Sequence, residues 1–150
     1  MDKAKLTEQL KAEETFRSLV YDDATGAPIR ERSVVRGHPT IGYGRALDIR
    51  GITRTEASYL LANDIDAAEV ECRRFTFWAG LDDVRQRVLA DMVFNMGFAS
   101  MLGFHDTLRY LADGRYELAA RAMEDSEWFH QVGSRAVKLV AMMRTGKDPV

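Results

Sequence analysis

Two acidic residues lie close together near the start of the 150-residue chain: Glu14 and Asp23 are nine residues apart. Asp22 immediately precedes Asp23, and Thr40 follows after a longer interval. A pair of carboxyl groups can cleave a glycosidic bond when one protonates the leaving oxygen and the other, ionised, activates water or stabilises the developing positive charge. Spacing alone leaves the role open, because a solvated helix–strand junction also carries two such acids.

A helix is expected immediately before the first of these acids. The pattern of residues 3–13 predicts a short amphipathic helix, with Leu6 and Leu10 one turn apart. Glu14 then stands at the end of this helix.

The second acid and the threonine fall in a segment with strand character. Residues 18–46 are rich in glycine and proline and hold β-favouring runs at 19–21 and 40–43. This pattern predicts a small antiparallel sheet with hairpin turns. Asp22 and Asp23 end the first strand, and because side chains alternate along a strand, only one of them can face a groove.

Helices are predicted for the rest of the chain. Thr53-Arg54-Thr55-Glu56 has the form of a capping box and begins a helix of about twenty residues, 53–73. Its apolar stripe comprises Ala57, Leu61, Ile65, Ala68 and Cys72. Residues 83–96 are apolar over a broad arc and are expected to form the central core helix. Shorter helices are expected at about 105–113, 116–124 and 133–144.

These elements predict an α+β fold with a single domain over residues 1–150. We expect a β-containing lobe at about 14–52, a linking helix at about 53–73 and a helical lobe at about 74–150, which the N-terminal helix 3–13 joins. A groove between two lobes is a natural place for an extended polymer.

Composition excludes several classes of protein. A net charge of -2 argues against a nucleic-acid binder. Cys72 is the only cysteine and cannot form an internal disulfide, so we expect a buried, inert thiol and synthesis in a reducing cytosol. No run is apolar enough for a signal peptide or a membrane span, so we expect neither secretion by that route nor membrane insertion. No metal or other cofactor is expected, because metal-ligand spacing is absent from His38, His105 and His130.

The segment Glu14-Thr-Phe-Arg-Ser-Leu-Val-Tyr-Asp-Asp23, followed by Pro39-Thr-Ile-Gly-Tyr-Gly44, resembles the T4-lysozyme family of glycoside hydrolases (family 24). Further motifs keep the family's order along nearly the whole chain: residues 87–97, Gly103-Phe104, Thr107-Leu108, Trp128, Arg135-Ala136 and Arg144-Thr-Gly146. The resemblance implies a lysozyme-like fold. It also implies an endolysin that hydrolyses the β-1,4 bond between N-acetylmuramic acid and N-acetylglucosamine in bacterial peptidoglycan.

The resemblance also implies roles for the residues introduced above. Glu14 would be the general acid, and Asp23 would be the carboxylate that orients or activates water. Thr40 would hold that water through its hydroxyl. Members of this type usually invert the configuration at the anomeric carbon. The nine-residue interval favours Asp23 over Asp22.

Substrate contacts are implied further along the chain. Phe94 and Thr107 match positions that line the family's saccharide cleft, and the adjacent Asn95 could donate a hydrogen bond to an N-acetyl carbonyl. For Phe94 the alternative is core packing, since an aromatic residue on a core helix commonly packs. Trp128 is expected to belong to the core.

An endolysin of this type is expected to be a monomer whose partner is peptidoglycan. We expect synthesis in the cytoplasm of the host bacterium, release with the help of a holin, and action on the cell wall thereafter.

The spacing between Asp23 and Thr40 departs from the family pattern, because Thr40 comes seventeen positions after Asp23, whereas the family's threonine comes six positions after its aspartate. The insertion at about residues 27–37 predicts a longer hairpin that overhangs the groove and presents Arg30, Arg32 or Arg36 to the glycan or its peptide stems. A surface loop without such contacts is the alternative.

Two single positions also differ from the family. Arg45 stands where a histidine commonly follows the Ile-Gly-x-Gly turn, and we expect it to pair with Asp64 on the long helix. Ala122 replaces a polar cleft residue, which would change the affinity of a subsite.

Two other functions are compatible with the same fold. A lytic transglycosylase would use an acid but no water-activating carboxylate, and a wall-binding module would use neither. Glu14, Asp23 and Thr40 together favour hydrolysis.

Overall fold

The computed structural model describes residues 1–149. The chain divides into two compact units, Met1–Ser58 and Tyr59–Val150. The boundary between them falls within helix α3 (Arg54–Cys72).

The first unit begins with helix α1 (Lys3–Glu13), as the sequence predicted. The Asp2 carboxylate accepts a hydrogen bond from the Lys5 N–H at 3.1 Å and so caps the first turn. Glu14 donates its N–H to the Leu10 carbonyl at 2.8 Å but has extended backbone angles. The helix therefore ends at this residue, and the chain leaves in the direction of the first strand.

A three-stranded antiparallel sheet follows, which confirms the predicted sheet. Strands β1 (Arg17–Asp22), β2 (Pro39–Gly42) and β3 (Arg45–Ala46) lie in the order β1-β2-β3. Thr40 on the central strand pairs with Tyr21 on one side and with Ala46 on the other.

The β1–β2 loop, residues 23–38, contains the insertion. It first returns along the outer edge of β1, where Ile29 donates its N–H to the Val20 carbonyl at 3.0 Å and Tyr21 bridges Pro28. A turn follows, in which the Ser33 N–H bonds the Arg30 carbonyl at 3.0 Å. Backbone pairing therefore holds the first part of the loop against the strand edge, and the contact of Arg30, Arg32 or Arg36 with the glycan stays a prediction.

A short helix, α2 (Leu47–Arg50), separates the sheet from α3 and was not predicted. The predicted capping box is present at the start of α3. The Glu56 N–H donates to the Thr53 hydroxyl at 3.2 Å, and the Thr53 N–H donates to the Glu56 carboxylate at 2.7 Å.

The second unit is helical. It contains most of α3, a 3-10 helix at Trp78–Gly80, α4 (Asp83–Met96), α5 (Phe98–Met101), α6 (His105–Ala112), α7 (Tyr116–Glu124), α8 (Glu127–Val132) and α9 (Ser134–Thr145). Val88, Leu89 and Met92 on α4 are fully buried, so α4 is the core helix that the sequence predicted.

The apolar stripe of α3 is buried only in part. Ala68 and Cys72 belong to the core, whereas about half of the surface of Leu61 and of Ile65 is exposed. The core therefore reaches only the last turns of this helix, and the first half of the predicted apolar stripe is partly exposed. Burial raises the pKa of the Cys72 thiol to about 11, so the thiol stays protonated at neutral pH.

No helix within residues 1–149 is long and apolar enough to cross a membrane.

Candidate active site

Glu14 lies at the junction of α1 and the sheet, with its side chain exposed. Its carboxyl group lies against Gly44, since a β-carbon added to Gly44 would be 3.1 Å from the Oε2 atom. Gly44 also has a φ of +72°, which L side chains rarely adopt. The Phe16 ring packs on the Tyr43 ring beside this contact, with centroids 5.3 Å apart. The turn between β2 and β3 thus provides space for the Glu14 carboxyl group.

Asp23 is the first residue after β1, and its side chain is exposed. Its Oδ1 atom accepts a hydrogen bond from the His38 N–H at 2.7 Å, and its own N–H donates to the His38 carbonyl at 3.1 Å. In the part of the chain that the structure describes, hydrogen bonds reach only Oδ1, and Oδ2 of this exposed side chain accepts none.

Thr40 is 3% exposed and lies on the central strand. Its hydroxyl donates to the His38 carbonyl at 3.1 Å, the same carbonyl that accepts from the Asp23 N–H. The hydroxyl oxygen retains its capacity as an acceptor. The structure therefore brings Asp23 and Thr40 together through one peptide group.

Asp22 differs sharply from its neighbour. It is 3% exposed, and its carboxylate accepts backbone N–H groups from Ala24 at 3.1 Å, Arg36 at 2.9 Å and Gly37 at 2.9 Å. The hydrogen bond from the Arg36 N–H is the largest cause of a lowered Asp22 pKa, and the N–H groups of Gly37 and Ala24 add to it. Asp22 is thus a buried structural acceptor, whereas Asp23 presents its side chain to solvent.

Arg45 does not form the predicted pair with Asp64. Its guanidinium donates to the Glu56 carboxylate through two nitrogens, at 2.9 and 3.1 Å, and its Nε donates to the Gly51 carbonyl at 2.7 Å. The planar fork of arginine matches a carboxylate and a nearby carbonyl at once, and the capping box places Glu56 within reach. The prediction is wrong because it carried over the partner of a shorter, differently shaped histidine.

The three candidate substrate-binding residues lie in the second unit. Phe94 is 44% exposed and lines a cavity of about 390 Å³ between α3 and α4. Thr107 is 1% exposed and lines a different cavity, of about 660 Å³, which Ala122 also lines. Asn95 accepts a hydrogen bond on its Oδ1 from the indole N–H of Trp128 at 3.3 Å, so its amide N–H groups face away from that contact.

His38 and Gly37 are site residues that sequence reasoning missed. His38 supplies both backbone groups that hold Asp23, and its ring Nδ1 lies 2.8 Å from the Asp48 carboxylate. A glycine two residues before a proline marks a turn, which is the only signal of this feature in the sequence. A turn signal does not show which carboxylates the returning chain will meet.

The chain thus presents an exposed glutamate at the end of a helix, an exposed aspartate at the end of the adjacent strand, and a threonine on the facing strand. Within residues 1–149, no group of three or more His, Cys, Asp or Glu side chains could hold a metal ion. Glycoside hydrolases use an acid pair of this kind.

A family model described as phage lysozyme matches residues 11–144, and the chain belongs to that family. It is 26% identical over 160 residues to probable T4-type lysozyme 1 of Dictyostelium discoideum, with 94% of each chain covered. It is 25% identical over 159 residues to the pre-baseplate central spike protein Gp5 of Enterobacteria phage T4, and this match covers 94% of the chain and 28% of the spike protein. The chain is accordingly an enzyme of the lysozyme class, and peptidoglycan is its substrate.

Proposed function

We propose that the enzyme hydrolyses the β-1,4 bond between N-acetylmuramic acid and N-acetylglucosamine, with Glu14 as the general acid. Asp23 and Thr40 hold the attacking water, and Glu14 protonates the oxygen of the departing sugar. The observation that supports this proposal best is the shared contact of Asp23 and Thr40 with the His38 carbonyl. It joins the Asp23 backbone to the Thr40 hydroxyl, and the His38 N–H beside it holds the Asp23 carboxylate at the same end of the sheet.

The proposed division of labour follows from the contacts of each group. The Oδ1 atom of Asp23 is occupied by the His38 N–H, so Oδ2 is the atom that accepts a proton from water. The hydroxyl of Thr40 donates to a carbonyl, so its oxygen can accept a hydrogen bond from the other O–H of the same water. The carboxyl group of Glu14 lies on glycine and accepts no hydrogen bond within residues 1–149, so it is free to turn towards a sugar oxygen.

Saccharide contacts are proposed for the second unit. The exposed ring of Phe94 offers an apolar surface to a sugar face, and the Asn95 amide, held at its oxygen by Trp128, offers N–H groups to an N-acetyl carbonyl. Thr107 remains a predicted contact that lies buried in its cavity wall.

Three substitutions test the catalytic assignment on purified peptidoglycan. Glu14→Gln should lower kcat at least about 10²-fold, because the amide cannot donate the proton. Asp23→Asn should lower kcat by a similar factor, because the amide cannot accept a proton from the water. Thr40→Val should lower kcat by a smaller factor, since the water keeps one partner. Glu13→Gln is the matched control, because it alters the adjacent exposed acid on α1 and should leave kcat unchanged. Retained turnover in Glu14→Gln would remove the proposed acid.

Inversion has its own test. Proton NMR of a digest in progress should show the α-anomer of the new reducing muramic acid before mutarotation, because water attacks the face opposite the departing sugar. The β-anomer as the first product would establish retention and would require Asp23 to act as a nucleophile.

We also propose a monomer that is made in the cytoplasm of a host bacterium and reaches the wall with the help of a holin. Expression in a bacterium with and without a holin tests the release step. Lysis that is equally fast in both strains would remove the need for a holin.

A further inference from the structure

The β1–β2 loop, residues 23–38, is the largest departure of this chain from the family spacing. We propose that the returning end of this loop, residues 36–38, is a positioning element for the Asp23 carboxylate and that Gly37 is the residue on which it depends. This inference rests on the proposed function of Asp23 as the carboxylate that holds water.

The loop is closed on the end of β1 by the buried carboxylate of Asp22. That single group accepts N–H groups from Ala24 at the beginning of the loop and from Arg36 and Gly37 at its end, at 2.9 to 3.1 Å. The lowered pKa of Asp22 keeps this acceptor ionised at neutral pH, and hydrogen bonds to a charged acceptor are the stronger kind. Both ends of the loop are therefore tied to the residue that precedes Asp23.

The next residue of the returning chain holds Asp23 itself. Asp23 and His38 exchange two hydrogen bonds, one from the His38 N–H to Oδ1 at 2.7 Å and one from the Asp23 N–H to the His38 carbonyl at 3.1 Å. The same carbonyl accepts from the Thr40 hydroxyl. The backbone of one residue, His38, thus sets the Asp23 backbone, its carboxylate and the Thr40 hydroxyl relative to one another.

Gly37 leaves the space that this arrangement needs. A β-carbon at Gly37 would overlap the Oδ1 atom of Asp23 and would lie 2.7 Å from the Ala24 β-carbon and 2.8 Å from the Ala24 nitrogen. The φ of Gly37 is outside the left-handed region, so the requirement for glycine is one of space rather than of backbone conformation. Any side chain at this position must displace the carboxylate or open the loop.

The first experiment compares Gly37→Ala with Gly80→Ala, using kcat and KM on soluble peptidoglycan fragments. Gly80 is the matched control, because an added β-carbon there meets nothing within 4 Å among the described residues. Gly37→Ala should lower kcat by about 10²-fold, because a misplacement of about 1 Å has that effect, and should leave KM within about twofold. Gly80→Ala should keep both constants. Equal kcat values in the two variants would overturn the proposal.

A double-mutant cycle with Asp23→Ala separates positioning from general damage to the fold. If Gly37→Ala acts through Asp23, it should lower the residual activity of Asp23→Ala by less than about twofold. If Gly37→Ala lowers the residual activity of Asp23→Ala as much as it lowers that of the wild type, Gly37 supports only the fold and does not position Asp23. Wild-type activity in Asp23→Ala would contradict the proposed function itself, and with it the positioning role.

A second pair of variants tests the loop closure without adding bulk at position 37. Arg36→Pro removes the N–H that the Asp22 carboxylate accepts, whereas Arg36→Ala keeps it. We expect kcat to be about tenfold lower in the proline variant than in the alanine variant. Equal kcat values in the two variants would show that closure through Asp22 does not position the site.

Discussion

Asp22 and Asp23 are neighbours of the same residue type, yet their surroundings differ completely. Asp22 is buried and accepts three backbone N–H groups, while Asp23 is exposed and accepts one. A carboxylate whose acceptor capacity is filled by backbone groups organises the chain around it. A carboxylate with a free oxygen can act on a ligand.

Substitution by asparagine should therefore separate the two residues. Asp22→Asn should lower the melting temperature, since the amide replaces a charged acceptor of three hydrogen bonds, whereas Asp23→Asn should lose turnover with a smaller change in melting temperature. Thermal unfolding and activity measured on the same samples check this. A stable Asp22→Asn enzyme together with an unfolded Asp23→Asn protein would contradict the assignment.

The pH dependence of the Asp22 effect has a definite sign. The Asp22 pKa is lowered in the folded state, so its contribution to stability is present above its pKa in the unfolded chain, about 3.9, and is lost as the pH falls through the folded value. The difference in melting temperature between wild type and Asp22→Asn should therefore be large at neutral pH and should disappear in strong acid. A gap that is independent of pH would contradict the role of the charge.

At the scale of elements, His38 connects the end of the β1–β2 loop to helix α2. Its Nδ1 atom lies 2.8 Å from the Asp48 carboxylate, and both side chains are partly exposed. The hydrogen bond and charge of Asp48 raise the His38 pKa, and the charges of Asp23 and Asp22 raise it further. The His38 side chain lowers the Asp48 pKa in turn.

This pair should stabilise the fold in mild acid and not in alkali. A histidine whose pKa is raised on folding contributes its full stabilisation below its pKa in the unfolded chain, about 6.5, and loses it as the pH rises through the folded value. The melting-temperature difference between wild type and Asp48→Asn should be larger near about pH 5.5 than near about pH 9. It should also shrink in high salt, since the pair is exposed. A difference that grows with pH would have the wrong sign.

The start of α3 gives a second prediction for an element. Thr53→Ala should lower the free energy of unfolding by about 1 kcal/mol, because it removes the side-chain cap of the helix. Glu56→Gln should also lower it, because the amide weakens the contact with Arg45. Asp64→Asn should change the free energy of unfolding by less than about 0.5 kcal/mol, as is usual for surface positions. Denaturant titration of the three variants tests this. A large cost for Asp64→Asn would restore the pair predicted from the sequence.

At the scale of the whole molecule, helix α9 offers two valines that differ only in burial. Val140 is 2% exposed in the core, and Val137 is 55% exposed. Val140→Ala should lower the free energy of unfolding by about 2 kcal/mol, because it removes buried apolar surface and leaves a cavity, whereas Val137→Ala should leave it almost unchanged. Denaturant titration measures both, and equal costs would show that the second unit is not packed as described.

The longer helices could be predicted because their apolar periodicity and end signals extend over several turns. The predicted helices at 3–13, 83–96 and 116–124 are present with those bounds. The single-turn helices α2 and α5 contain four residues each, too few to show a helical period.

The site could be predicted as far as local spacing reaches. The preference for Asp23 over Asp22 agrees with which of the two side chains is exposed, but the closure of the loop by Gly37 and His38 could not be foreseen. It depends on where a sixteen-residue connection returns, and the residues of the connection do not encode that path locally. The partner of Arg45 was also missed, because local spacing does not decide between carboxylates at different turns of α3, here Glu56 and Asp64.

The proposed mechanism requires Glu14, Asp23 and Thr40 to add water across the glycosidic bond. Digestion of purified peptidoglycan in water enriched in ¹⁸O, followed by mass analysis of the fragments, tests it most directly. We predict reducing muramic acid ends that carry one heavy oxygen, and no such ends with Glu14→Gln. Unlabelled 1,6-anhydro ends, lighter by one water, would show that the sugar's own hydroxyl attacks and would contradict the account.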